Sequence, residues 1–195
     1  MKKDQKKYIS DAIRKIYIDH YPYWEEPDYE IKKQKRIHNL SFNLEQIAPF
    51  PISIQKPHDD LSYFLYQLPF QSWGGNDRCD ELFFDALEKK KERAIFLEIK
   101  LCQFAPIAEA VWHVIWMEEN GYNKFIRDLT HYEDLPGVPQ PESLVIHLLD
   151  YFDNSDILLA PLELTHSPAD SSLPPPKFNP PHPRLRDYLF SVYID

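Results

Sequence analysis

The chain has 195 residues, 18 of them proline and 4 glycine, and a formal charge of −9. Glycine normally outnumbers proline, so too few glycines remain for phosphate- or dinucleotide-cradling loops, and those nucleotide-binding classes are excluded. A hydrophobic fraction of 43 % with 14 % aromatics is too high for a disordered chain, and no run approaches the ~18 apolar residues of a membrane span.

In chain order, residues 4–21 predict an amphipathic helix: Asp4 caps its start, Ile9, Ala12, Ile13, Ile16 and Tyr17 recur at helical spacing, and Pro22 ends it. Residues 21–30 mix two prolines with aromatics and acids, the composition of an extended connector. Tyr21, Tyr23, Trp24 and Tyr29 there are either interface anchors or packing beneath that connector. Pro49, Pro51 and Pro57 make residues 36–57 edge strands or loops. A short helix is expected at 59–68, with Leu61, Phe64, Leu65 and Leu68 on one face before Pro69. Gly74-Gly75 is the clearest break.

Residues 81–87 and 94–102 read as a β-hairpin around the charged run 88–93. Residues 105–120 read as a buried helix with Glu109 and His113 as its polar stripe, a strand at 111–117 being the alternative, and Asn120-Gly121 supplies the stop. Another helix is expected at 142–152, then a strand over 156–165 interrupted at Pro161. Seven prolines within 167–183 make a polyproline-type arm. The apolar tail after it (Leu185, Tyr188, Leu189, Phe190) is expected to dock on the body. The fold class expected is α+β: one domain over residues 1–195, with an N-terminal helix within 1–22, an antiparallel sheet with covering helices, and a proline-rich arm and docked tail over 167–195.

Charged residues at the N-terminus in place of an apolar signal core, with Cys79 and Cys102 as the only cysteines, make a soluble cytoplasmic protein the expectation. Asn39-Leu40-Ser41 matches a glycosylation acceptor, idle in that compartment. The two thiols would approach each other across the hairpin and stay reduced. Eight scattered histidines offer no zinc-ligand spacing. Glu109 and His113, four apart, would form a polar pair or reach a metal.

Charge is unevenly placed: residues 1–36 carry ten Lys/Arg against seven Asp/Glu, whereas residues 118–165 carry ten acids against Lys124 and Arg127. Glu118, Glu119, Asp128, Glu133, Asp134, Asp150, Asp153 and Asp156 are therefore candidate contacts for a basic protein partner, the other reading being a solvated acidic face. No Gly-x-Ser-x-Gly, His-Glu-x-x-His or P-loop motif is present. The first function expected is a non-catalytic acidic protein-binding domain of inhibitor, immunity or adaptor type.

One constellation supports an enzymatic alternative: Asp80, then Glu98-Ile99-Lys100 in an apolar strand, where period two puts Glu98 and Lys100 on one face. Over residues 80–100 only, the sequence resembles the PD-(D/E)XK nuclease superfamily. The resemblance implies a Mg²⁺-dependent nuclease acting on nucleic acid, with Asp80 and Glu98 as metal ligands, Lys100 beside the water and Glu45 as an additional acid. With the hairpin centred between Lys90 and Lys91, Phe83 opposes Glu98 and Glu81 opposes Lys100. Asp85 would then replace Asp80 on the face of Glu98, or a bulge would shift the strand; otherwise Glu81 and Lys100 form a plain ion pair. A charge of −9 weighs against a nucleic-acid footprint.

Overall fold

A computed structural model describes residues 2–17, 26–49, 51–57, 62–70, 93–118, 121–133, 135, 138, 141–176 and 181–190. Its elements are helix α1 (Lys2–Tyr17), helix α2 (Tyr29–Ile47), strands β1 (Ser53–Gln55), β2 (Tyr63–Pro69), β3 (Ala94–Cys102), β4 (Ile107–Glu118) and β5 (Gly121–Asp128), helix α3 (Pro141–Asn154), strand β6 (Leu158–Leu159), and short helices α4 (Leu162–Thr165) and α5 (Leu185–Leu189). Strands β1 to β5 form an antiparallel meander, and β6 joins β4 in parallel. The α+β expectation holds.

Side-chain alternation divides the sheet into two faces. On one, Phe64, Tyr66 and Leu68 of β2, Ile95, Leu97, Ile99 and Leu101 of β3, and Ala108, Ala110, Trp112 and Val114 of β4 form the main core. Leu40 and Leu44 of α2 and Leu144, Val145, Leu148 and Phe152 of α3 cover it. Trp112 is fully buried and donates its indole N–H to the Leu129 carbonyl at 2.9 Å, which satisfies the one polar atom such a side chain brings inside. On the other face, Tyr63, Leu65, Cys102 and Ile107 pack against Ile9, Ala12 and Ile13 of α1 and against Leu185, Tyr188, Leu189 and Phe190.

The N-terminal helix is present over Lys2–Tyr17, so Asp4 stands in its first turn instead of capping it, and its expected end at 18–22 lies outside the described residues; the helix expected at 142–152 spans Pro141–Asn154, and the tail docks. The arm folds back on itself through an antiparallel bridge between Pro168 and Arg184. Tyr17 donates to the Tyr188 carbonyl at 2.8 Å, and Tyr188 to the Pro174 carbonyl at 2.9 Å.

Three expectations are corrected. Residues 36–47 belong to α2, because Pro49 and Pro51 stop a helix instead of marking edge strands; only β1 matches that expectation. Exposed Ile31 and Phe42 had blurred the two-sided pattern of α2. Residues 63–69 are a strand, and so are residues 107–118, where the alternative of a strand at 111–117 holds and the helix does not. Both strands are covered on both faces, so their apolar residues run continuously and mimic a buried helix.

Smaller differences follow the same logic. Tyr29 and Glu30, expected in the connector, start α2; Tyr29 is buried and donates to the Gln103 carbonyl, whereas Tyr21, Tyr23 and Trp24 lie outside the described residues. Gly121, expected to stop a helix, pairs with Glu118 in the β4–β5 hairpin. Its φ of 116° needs glycine, although a Cβ there would meet nothing within 4 Å. The strand expected over 156–165 shortens to β6 and gives way to α4 at Pro161. Residues 81–87 lie outside the described residues; β3 is paired on both edges, Glu98 with Gln67 and with Val111, so the expected hairpin register finds no free edge of β3.

Candidate functional site

A groove of about 710 Å³ opens where the start of α1, the ends of β5 and α3, and β6 converge. Asp4, Asp128, Asp153 and Asp156 line it with Tyr8, Leu149 and Phe152, and no Lys, Arg or His among the described residues contributes to its wall. Asp128 is structural: one carboxylate oxygen accepts from the Leu162 N–H at 2.8 Å, the other from the Thr130 N–H and hydroxyl at 3.1 and 2.9 Å. Arg36 of α2 neutralises Asp156 at 2.7 Å. Asp4 and Asp153 are exposed. Asp153 stands in the last turn of α3, which holds no basic residue. The helix dipole already places negative charge there, so the carboxylate and the dipole reinforce one negative potential inside the groove.

Of the eight predicted partner contacts, Asp128, Asp153 and Asp156 come together. Asp150 lies across α3 in a second groove of about 620 Å³, facing Lys32, Lys35 and Arg36. Glu118, at the end of β4, accepts the Trp116 indole N–H at 2.8 Å, and Glu133 is exposed in the turn after β5. Glu119 and Asp134 lie outside the described residues. Asp4 and Tyr8 were missed, since they sit in the segment with a net basic balance and only the docking of α1 carries them to α3.

The second constellation sits on the α1 side of the sheet. Glu98 and Lys100 do share a face, Nζ to Oε1 at 3.1 Å. The Nε2 of His113, on β4, lies 3.2 Å from the same oxygen, off the line of a good hydrogen bond. Glu98 is 8 % exposed. Burial alone would raise its carboxyl, but the His113 contact and the Lys100 charge overcome that and hold it down at about 2. Lys100 also stands over the Tyr63 ring at 5.4 Å, and Phe96 stacks flat on His113 at 4.8 Å. Glu109, expected to pair with His113 on one helix, instead sits on β4 opposite Lys100, accepts from the Thr165 hydroxyl, and has Arg186 at 3.6 Å.

Mg²⁺ binding needs converging carboxylates, and the neighbours of Glu98 are cationic or imidazole groups. Among the described residues no group of three His, Cys, Asp or Glu is placed to hold a metal ion. Glu45 is on α2, which covers the opposite face; Asp80, Asp85 and Cys79 lie outside the described residues, and Cys102 is buried. No helix among the described residues is long and apolar enough to cross a membrane. No family model, curated protein or solved structure matches the chain significantly.

Proposed function

We propose that this chain is a non-catalytic binding protein of inhibitor, immunity or adaptor type, and that the groove beside α3 receives Lys or Arg side chains of a basic protein partner in the cytoplasm. The observation that carries this reading is a groove wall with four aspartates, three of them exposed and Asp153 set on a helix C-terminus, where the one ion pair among the described residues is that of Asp156 with Arg36. The local arrangement costs the folded chain stability, and a cationic partner would offset that cost. Such a surface steers association over roughly a Debye length, about 8–10 Å at physiological salt. The test is co-purification from the native host at low salt, followed by affinity measurements on the identified partner. Affinity should fall as salt rises, and Asp4→Asn with Asp153→Asn should weaken it about tenfold, or about 1.4 kcal/mol. Binding indifferent to both would overturn the reading.

A second reading rests on the 3.1 Å pairing of Glu98 with Lys100 on one strand face. It makes the chain a Mg²⁺-dependent nuclease in which Asp80 or Asp85 joins Glu98 at the metal. The described residues by themselves do not fit that metal, so the reading depends on those two aspartates. Metal-dependent cleavage of DNA by the parent protein, abolished by Lys100→Ala without loss of fold, would favour it; no cleavage would remove it.

A further inference from the structure

We propose that the folded-back proline arm builds a site for a phosphate-class oxyanion from Arg184, His166 and Arg186. The bridge between Pro168 and Arg184 is extended by hydrogen bonds from the Ala169 N–H to the Pro183 carbonyl, 2.9 Å, and from the Leu185 N–H to the Ser167 carbonyl, 3.2 Å. These bonds hold His166, at the end of α4, against the two arginines that bracket Leu185. Arg184 Nη1 is 3.1 Å from the imidazole Nδ1, and Arg186 Nη1 contacts the Nε2.

The chemistry of this triad is incomplete. A guanidinium only donates hydrogen bonds, and a neutral imidazole has one lone pair and one N–H. Whichever ring nitrogen accepts, the other presents its N–H to a second donor, and the two meet without an acceptor between them. Arg186 has a partial counter-ion in Glu109 at 3.6 Å, whereas no ion pair joins Arg184 to a carboxylate among the described residues. The Asp187 carboxylate beside it accepts from the Arg184 backbone N–H at 2.7 Å. Lys124 of β5 adds to the positive field: burial chiefly, and the charges of Lys100 and Arg186 against the pull of Glu98, lower its proton affinity. A chain of charge −9 thus sets two of its seven arginines around one half-buried imidazole.

A tetrahedral oxyanion would supply the missing acceptor. With the exposed Arg184 side chain turned off Nδ1, it would bridge the ring N–H and the guanidinium fork, the planar donor geometry that matches phosphate oxygens. Arg184 is exposed, so its outer nitrogens are open to such a ligand. The site lies on the arm and not in the aspartate groove, and it stands whether or not the groove binds a basic partner.

The experiment titrates the full chain with inorganic phosphate at constant ionic strength and follows the imidazole C–H resonances by NMR, with chloride as control. His166 should shift saturably with phosphate and its pKa should rise, because a bound anion favours the imidazolium. The other seven histidines serve as internal references. Arg184→Gln should weaken the effect about tenfold while leaving the thermal midpoint unchanged. Arg184→Lys, which keeps the charge and loses the fork, should weaken it less and serves if the Gln variant fails to fold. A response matched by chloride, a His166 shift no larger than that of the other histidines, or full phosphate affinity in both variants would overturn the proposal.

Discussion

Glu98 of β3 and His113 of β4 meet diagonally across the strand ladder, Oε1 to Nε2 at 3.2 Å, with Lys100 on the same oxygen at 3.1 Å and Phe96 flat against the imidazole. The cluster is a buried carboxylate held ionised by its neighbours, and its first consequence is a pH dependence of stability. The folded-state pKa of about 2 lies below the ordinary 4.5, so the stabilisation is complete above pH 4.5 and disappears as pH falls towards 2. A shift of that size is worth roughly 3 kcal/mol. Urea unfolding at pH 7 and pH 3 should show the loss in the parent protein and a much flatter dependence in Glu98→Gln. That variant should also be about 3 kcal/mol less stable at pH 7, because it leaves the largely buried Lys100 without its counter-charge. Parallel pH profiles for the two proteins would contradict this account.

Asp153 should trade stability for binding. Replacing it by Asn removes a negative charge from the C-terminal turn of α3 and should stabilise the fold by about 0.3–1 kcal/mol. The same change should lower affinity for a basic partner. Thermal unfolding checks the first effect at low salt, where the dipole term is least screened. A lowered midpoint would show that Asp153 has a structural role.

Leu189→Ala tests whether the tail belongs to the core. Leu189 is 1 % exposed among Ile9, Ile13 and Tyr63, so truncation should cost roughly 2–5 kcal/mol, as should Leu44→Ala on the opposite face. In urea both variants should shift the midpoint without changing the slope. A near-neutral Leu189→Ala would mean that the tail adds nothing to the fold in solution.

The Cys102 thiol should be inert in the folded protein. It is 4 % exposed, and burial pushes it up to about 11 despite backbone hydrogen bonds at 104 and 105. In a Cys79→Ser background, reaction with a disulfide reagent at pH 8 should therefore track global unfolding. Rapid labelling of native protein would contradict the placement of β3 beneath α1 and the tail.

The elements most legible in the sequence were those with one buried face. Ile9, Ala12 and Ile13 of α1, and Val145, Leu148 and Phe152 of α3, repeat at helical spacing because one stripe of each helix is inside and the rest meets water. The apolar tail after the arm was legible for a related reason: Leu185, Tyr188 and Leu189 have no other way to leave water than to dock. On β3, the alternation that puts Glu98 and Lys100 side by side follows from the pleat alone.

By itself, then, the sequence determined the α+β class, the near absence of glycine loops, and the local pairing of Glu98 with Lys100. Only the tertiary structure decided that residues 63–69 and 107–118 are strands, since covering a strand on both faces removes the alternation that would announce it. It alone joined Asp4 to Asp153, and His166 to Arg184 and Arg186. These contacts link residues far apart in the chain, and no local propensity encodes them. They form where the burial of α1 and the tail against one sheet face brings their polar edges together.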